Sequence, residues 1–195
     1  MNSVTTPKAE KVRRLKRSLW RLAFAKRSIH ETLNACDFII NNIKSEVDPA
    51  YYSLVTSVFV LYARPFGNNN GAGKIPDKFV PAAGSEKFNL HGLLLHGRHA
   101  FYAHTDAESK YFGDDGKAVG RLLNFTITVT DMQDGTATLN LGTIEPRLAL
   151  ETIPRIKVLC DELYKALCTE EHVLLKALAR TGYRLKFGSN TVTLD

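Results

Sequence analysis

Only three cysteines, Cys36, Cys160 and Cys168, occur in the 195 residues, and no two of them stand in a CxxC pair. A disulfide framework is thereby excluded, and a reducing cytoplasmic compartment is expected. No apolar run is long enough to span a bilayer. The longest, near Val55 to Ala63, is interrupted by Thr56 and Ser57, so no membrane partner is expected. No apolar core precedes a cleavage site near the N-terminus, and a secretory leader is not expected. Internal repeats and low-complexity tracts are missing as well. Carboxylates are scarce where cations crowd. Between Lys8 and Arg27 stands Glu10 alone, against Lys8, Lys11, Arg13, Arg14, Lys16, Arg17, Arg21, Lys26 and Arg27. With a net charge of +6, this leans toward polyanionic partners.

What is present reads as helix over most of the chain. From Pro7 to Lys44 no internal glycine or proline interrupts the run. Leu15, Leu19, Leu22, Lys26, Ile29, Leu33, Cys36, Ile40 and Ile43 recur in steps of four and three, a seam of coiled-coil spacing. Arg13, Arg14 and Arg17 lie in its basic half, where they suit phosphate contacts, and Trp20 and Phe24 read as packing residues. Asp48 and Pro49 begin a second helix that Pro65 stops, with Arg64 at its end. Ser85 caps a third. Phe125, Ile127 and Val129, then Ala137, Leu139 and Leu141, alternate with polar residues about a turn, the pattern of a β-hairpin. Thr152 is placed as the cap of a helix to Cys168. Thr169 to Arg180 reads as a short further helix or a bent continuation, and a small hairpin follows Gly182. The expected fold is mainly α with a small β component. It forms one domain, with a helical core of about residues 7–112 and 152–181, a hairpin insertion at about 122–142 and an extension over 182–195.

The stretch Glu86 to Asp106, EKFNLHGLLLHGRHAFYAHTD, concentrates the chemistry. Arg98 is a permanent cation whose planar fork suits two phosphate oxygens. His99 and His104 can exchange a proton near neutral pH. A phosphate clamp beside a proton-transfer group is the minimum for cleaving RNA without a metal. Two readings of the pair stand. In the other, Arg98 pairs with an acid and His104 caps the helix end. Positions six apart on a straight helix point about 120° from each other. A working pair therefore needs a long reach, an irregular helix or a second subunit.

Arg98-His99-Ala100-Phe101-Tyr102-Ala103-His104, preceded by the LYARPF of Leu61 to Phe66, resembles the R-x(4–6)-H signature of the HEPN superfamily, in its abortive-infection-like bacterial branch. The resemblance implies a helical bundle that dimerises and, in active members, a metal-independent endoribonuclease, at times a toxin or phage-defence effector. It implies Arg98 as the phosphate-binding residue, His104 as the proton-transfer residue and His99 as the polar neighbour, in a cleft at a dimer axis. Arg64 and Tyr102 become substrate-side candidates together with Arg13, Arg14 and Arg17. RNA, a second copy of the chain and an antitoxin or regulatory protein are the implied partners. The alternative is a non-catalytic helical dimer that binds RNA, nucleotide or protein.

Other chemistries are set aside. The loop from Gly67 to Lys74 has the wrong spacing for a phosphate loop, and Ile75 replaces the hydroxyl residue that would hold magnesium. His91, His96, His99 and His104 contain no pair at the spacing of the helical zinc motif. No metal or cofactor is expected.

Overall fold

The computed structural model describes residues 7–67, 73–98, 110–112, 118–120, 126–132, 136–142, 148–183, 186–187 and 192–193, with side chains described in the segments up to 98 and from 148 to 183. The fold is mainly helical. Its helices are α1 (Pro7–Asn42), α2 (Pro49–Ala63), α3 (Glu86–Gly97) and α4 (Thr152–Ala179).

The frame is the pair of long helices, α1 and α4. Lys16 Nζ donates to Tyr183 Oη at 3.2 Å, Lys26 meets Glu171 at 2.5 Å, and Asp37 meets Lys157 at 2.7 Å. Beyond the end of α1, Glu46 accepts from the Leu150 backbone N–H at 2.9 Å. Each step forward in the first partner is a step back in the second, so the two helices run antiparallel. Between them Leu22, Ile29, Leu33 and Cys36 meet Ile156, Leu159, Cys160, Leu163 and Leu167 in one core cluster.

The expected seam is corrected at Ile40, which is exposed, while Ile39 is fully buried. On a straight helix Ile40 points the same way as the buried Leu22, five full turns before it, so what packs against that face changes along α1 and the repeat itself does not. The helix ends at Asn42 rather than Lys44. Trp20 is also corrected, being 54% exposed rather than packed on a neighbour.

α2 returns along α1 after a short connection. Asp48 Oδ1 accepts from Ala50 N–H at 2.8 Å, and Pro49 occupies the first turn, where its missing N–H costs nothing. A second buried stripe on α1, made of Ala25, Ser28, Thr32 and Ala35, has small side chains. Ser28 lines a groove shared with Leu61 and Arg64, which turns this stripe toward α2. The buried Thr32 hydroxyl donates to the Ser28 carbonyl at 2.9 Å, so it costs no unsatisfied polar group. A 3₁₀ turn, Arg64–Phe66, follows α2 at the expected proline stop. The turn is tied down by Ile75 N–H donating to the Pro65 carbonyl at 2.9 Å.

α3 starts where Ser85 Oγ accepts from Phe88 N–H at 3.1 Å. It runs antiparallel to α2: its His91 lies beside Tyr62 and Phe66, and its Gly97 beside Phe59. Glu86 and Lys87 reach α4 through Arg155 and Glu162, each pair at 2.6 Å.

α4 differs from the expectation at both ends. Thr152 is inside the helix, after a Glu151 already in helical conformation (φ −65°, ψ −16°) that gives no side-chain cap. The segment after Cys168 is not a separate helix but continues α4 to Ala179. Nothing between Pro154 and Gly182 breaks it, and the Thr169 hydroxyl donates back to the Lys165 carbonyl at 3.0 Å instead of starting a new cap. Gly182, at φ +78°, ends the run.

Three antiparallel strand pairs are described by their backbone. β1 (Lys110–Phe112) pairs with β2 (Ala118–Gly120), β3 (Thr126–Met132) with β4 (Thr136–Gly142), and β5 (Lys186–Phe187) with β6 (Val192–Thr193). The β3–β4 register runs from Thr126 opposite Gly142 to Met132 opposite Thr136. Residues 110–112, assigned to the helical core on sequence, are thus extended, as the aromatic pair Tyr111-Phe112 before Gly113 favours.

Candidate functional site

Arg98 closes α3. Its backbone stays helical (φ −59°, ψ −43°), and its N–H is shared between the Leu94 and Leu95 carbonyls. The side chain is exposed, at a helix C-terminus where a cation is favoured by the dipole. Among the described residues no carboxylate pairs with it. Its position is set by its neighbour. A Cβ on Gly97 would lie 2.2 Å from Phe59 Cε1 and 2.5 Å from Cδ1, so only a glycine lets α3 sit this close to α2. Arg98 is therefore carried on a fixed seam, one residue beyond a backbone-to-ring contact. His99, Tyr102 and His104 lie outside the described residues.

The remaining cations named on sequence do not gather around Arg98. Arg64 ends α2 beside the Tyr62–His91–Phe66 cluster, and Arg98 is seven residues past His91, about 10 Å along the bundle. Arg64 is exposed, and its guanidinium carbon stands 5.1 Å from the centre of the Phe24 ring on α1. That is a cation–π contact between helices as well as a helix-end cation. Arg13, Arg14 and Arg17 are exposed on the opposite side of this level. Arg17 stands roughly 20 Å from Arg98 along the axis, at 1.5 Å per residue. Arg13 also meets Glu10 at 3.7 Å, an exposed pair of little energetic weight.

Behind Arg98 lies a buried polar pair that sequence reading passed over. His91 is 5% exposed, and its Nδ1 is 2.9 Å from Tyr62 Oη. Phe66 meets the imidazole edge-on at 4.6 Å. Burial pulls the His91 pKa down to about 4 and pushes the Tyr62 phenol well up. Both groups are neutral near pH 7, so this pair holds α3 on α2 and does not act as an acid–base centre. The sequence alone puts His91 forward only as a metal ligand. Its spacing from Leu90 and Leu94, on one helix face, is the signal that places it.

Two of the three thiols are equally inert. Cys36 and Cys160 are fully buried, and desolvation pushes the Cys36 pKa up to about 12 and Cys160 well above its usual range. Among the described residues no group of histidines, cysteines and carboxylates is arranged to hold a metal, and no helix is long and apolar enough to cross a membrane.

A second concave surface, sharing Arg64, lies between α1 and α2. It encloses about 490 Å³ between Phe24, Arg27, Ser28 and Glu31 on one helix and Leu61 and Arg64 on the other. On sequence Phe24 reads as packing and Arg27 only as one of many cations. Their spacing with Glu31, at i, i+3 and i+7, is the one signal that puts them on a common stripe.

No protein-family profile, curated protein or solved structure matches this chain.

Proposed function

We propose that the chain is a metal-independent endoribonuclease of HEPN type, acting as a homodimer with a regulatory or antitoxin partner. In this reading the helices form a HEPN-like bundle with a hairpin insertion. The observation that carries it is Arg98: an exposed guanidinium with no carboxylate partner among the described residues, fixed at the end of a helix, six residues ahead of His104. Arg98 grips two non-bridging oxygens of the scissile phosphate and stabilises the charge of the phosphorane. His104 takes the proton of the ribose 2′-hydroxyl as that oxygen attacks phosphorus. The bond to the 5′-oxygen breaks, and an imidazolium returns a proton to it. The products are a 2′,3′-cyclic phosphate and a free 5′-hydroxyl, with no metal in the balance. His99 orients the pair, and Tyr102 offers a ring to the substrate.

Purified protein is expected to cut single-stranded RNA in EDTA and leave cyclic-phosphate ends, detected by mass spectrometry. Arg98→Ala and His104→Ala should each lower the rate by at least a hundredfold. Cutting that survives both changes, or that needs added magnesium, rejects the assignment.

A non-catalytic RNA-binding module is the second reading, and the exposed Arg13, Arg14 and Arg17 favour it. Arg17, the nearest of them, lies about 20 Å from Arg98 along the axis, on a helix extending past the level of Arg64. Reversing all three to glutamate should weaken RNA binding and flatten its salt dependence. Each lost phosphate contact on a single strand lowers the slope by about 0.7. An unchanged slope removes this face from the interface.

A further inference from the structure

The groove between α1 and α2 has a composition that Arg98 chemistry does not use. Two cations, one carboxylate and one aromatic ring face about 490 Å³, within the range of small-ligand sites. Arg27 and Glu31 stand at i and i+4, where opposite charges commonly join. Among the described residues neither makes an ion pair or side-chain hydrogen bond. The arginine-first order is the weaker one for such a pair, which leaves both groups facing the groove. At the same wall the Arg64 guanidinium lies over the Phe24 ring at 5.1 Å. The Arg64 backbone is held by its N–H to the Val60 carbonyl and by the buried Pro65 that follows. The guanidinium and the ring it lies over form a preorganised platform of the kind on which an unpaired base stacks.

We propose that this groove binds one guanine nucleotide, free or unpaired within RNA. The base stacks on the Arg64–Phe24 platform. The Glu31 carboxylate accepts two parallel hydrogen bonds from the imino N1–H and the 2-amino group, and Arg27 takes the phosphate. Guanine is singled out because it alone among the four bases places two adjacent donors on its Watson–Crick edge. Adenine and cytosine set an amino donor beside a ring-nitrogen acceptor, and uracil sets an imino donor between two carbonyls that a carboxylate repels. The site works without Arg98, so its success or failure is separable from that of RNA cleavage.

The test is titration of wild-type and Arg98→Ala protein with 5′-GMP, IMP, AMP and UMP by calorimetry. Trp20, the sole tryptophan, stands one helical turn from Phe24 as an optical reporter. GMP should bind at least tenfold more tightly than the other three, equally in both proteins. IMP, lacking the 2-amino group, shows the loss of one donor. Glu31→Gln should remove the preference for GMP, and Arg27→Met should weaken all four nucleotides alike, with far-UV circular dichroism unchanged in both. A tetranucleotide with one guanine among uracils, compared with all-uracil and titrated into Arg98→Ala protein so that neither is cut, separates the two sources. Tighter binding than GMP marks RNA as the ligand, and weaker binding marks the free nucleotide. No GMP binding at millimolar concentration, or equal binding of GMP and UMP, overturns the proposal.

Discussion

Gly97→Ala is expected to destabilise the protein by about 1–3 kcal/mol, the usual cost of forcing an extra carbon into a packed core. The new methyl would stand 2.2 Å from Phe59 Cε1, and Phe59 is only 2% exposed, so the ring has nowhere to retreat without displacing its own neighbours. The sign is informative because glycine to alanine inside a helix otherwise gains roughly 0.5–1 kcal/mol. Gly92, on the same helix, supplies the control. Its added Cβ meets nothing within 4 Å, so Gly92→Ala should be stabilising by that amount. Denaturant unfolding of the two variants should move the midpoint in opposite directions with little change in slope. For a chain of this size the melting temperature follows by roughly 2–4 °C per kcal/mol. Phe59→Leu combined with Gly97→Ala should recover part of the loss, as expected of residues in direct contact. Destabilisation of both glycine variants alike would mean that helix propensity, not the α2–α3 contact, controls this seam.

That contact also concerns function. Arg98 follows Gly97 directly, so any shift that relieves the clash moves the guanidinium with it. In the ribonuclease reading Gly97→Ala should lower cutting more than its effect on folding explains, since a displacement of about 1 Å can cost a hundredfold in a positioned reaction.

The helices were legible because their signals are local. Asp48-Pro49 and Ser85 announce starts through a side-chain acceptor at a fixed offset, and Pro65 announces a stop. Long apolar repeats gave the seam of α1, and its error at Ile40, which points the same way as buried Leu22, came from a spacing that says nothing of where the packing neighbours on that face stop. Thr152 misled for a physical reason. A threonine is as able to sit in a first turn as to cap it, and here Glu151 is already helical. The relations between helices were not legible. Nothing in the spacing of Phe24, Glu31 and Arg64 says that they line one groove, because that follows from how far α2 slides along α1. The distance between Arg98 and the basic end of α1 was hidden likewise. Both are parts of one positive composition, and only the antiparallel stacking pulls them apart.

Acidification from pH 6.5 to 4 should cost the fold up to roughly 3 kcal/mol at His91, the linkage cost of lowering one group by about two and a half units. The folded pKa lies near 4, below the ordinary 6.5, and burial is the cause. Through that window the unfolded chain gains a proton on His91 and the folded chain does not, so stability rises with pH. The contribution is fully present above pH 6.5 and exhausted below about 4. Geometry gives the same sign. With the ring proton on Nε2, the neutral imidazole accepts from Tyr62 Oη at Nδ1, 2.9 Å away. Protonation makes Nδ1 a donor, so the phenol must turn, and a charge is left between Tyr62 and Phe66 with no carboxylate paired to it among the described residues. Urea unfolding at half-unit steps of pH should trace this limb. His91→Asn puts a side-chain oxygen near the place of Nδ1 and has no proton to gain. It should lower stability at pH 7, because the ring packing is lost, yet flatten the slope between pH 6.5 and 4.5. Tyr62→Phe should keep the slope while removing the hydrogen bond, since burial alone depresses the imidazole. An Asn variant as acid-sensitive as the wild type would move the titrating group elsewhere and leave His91 as packing only.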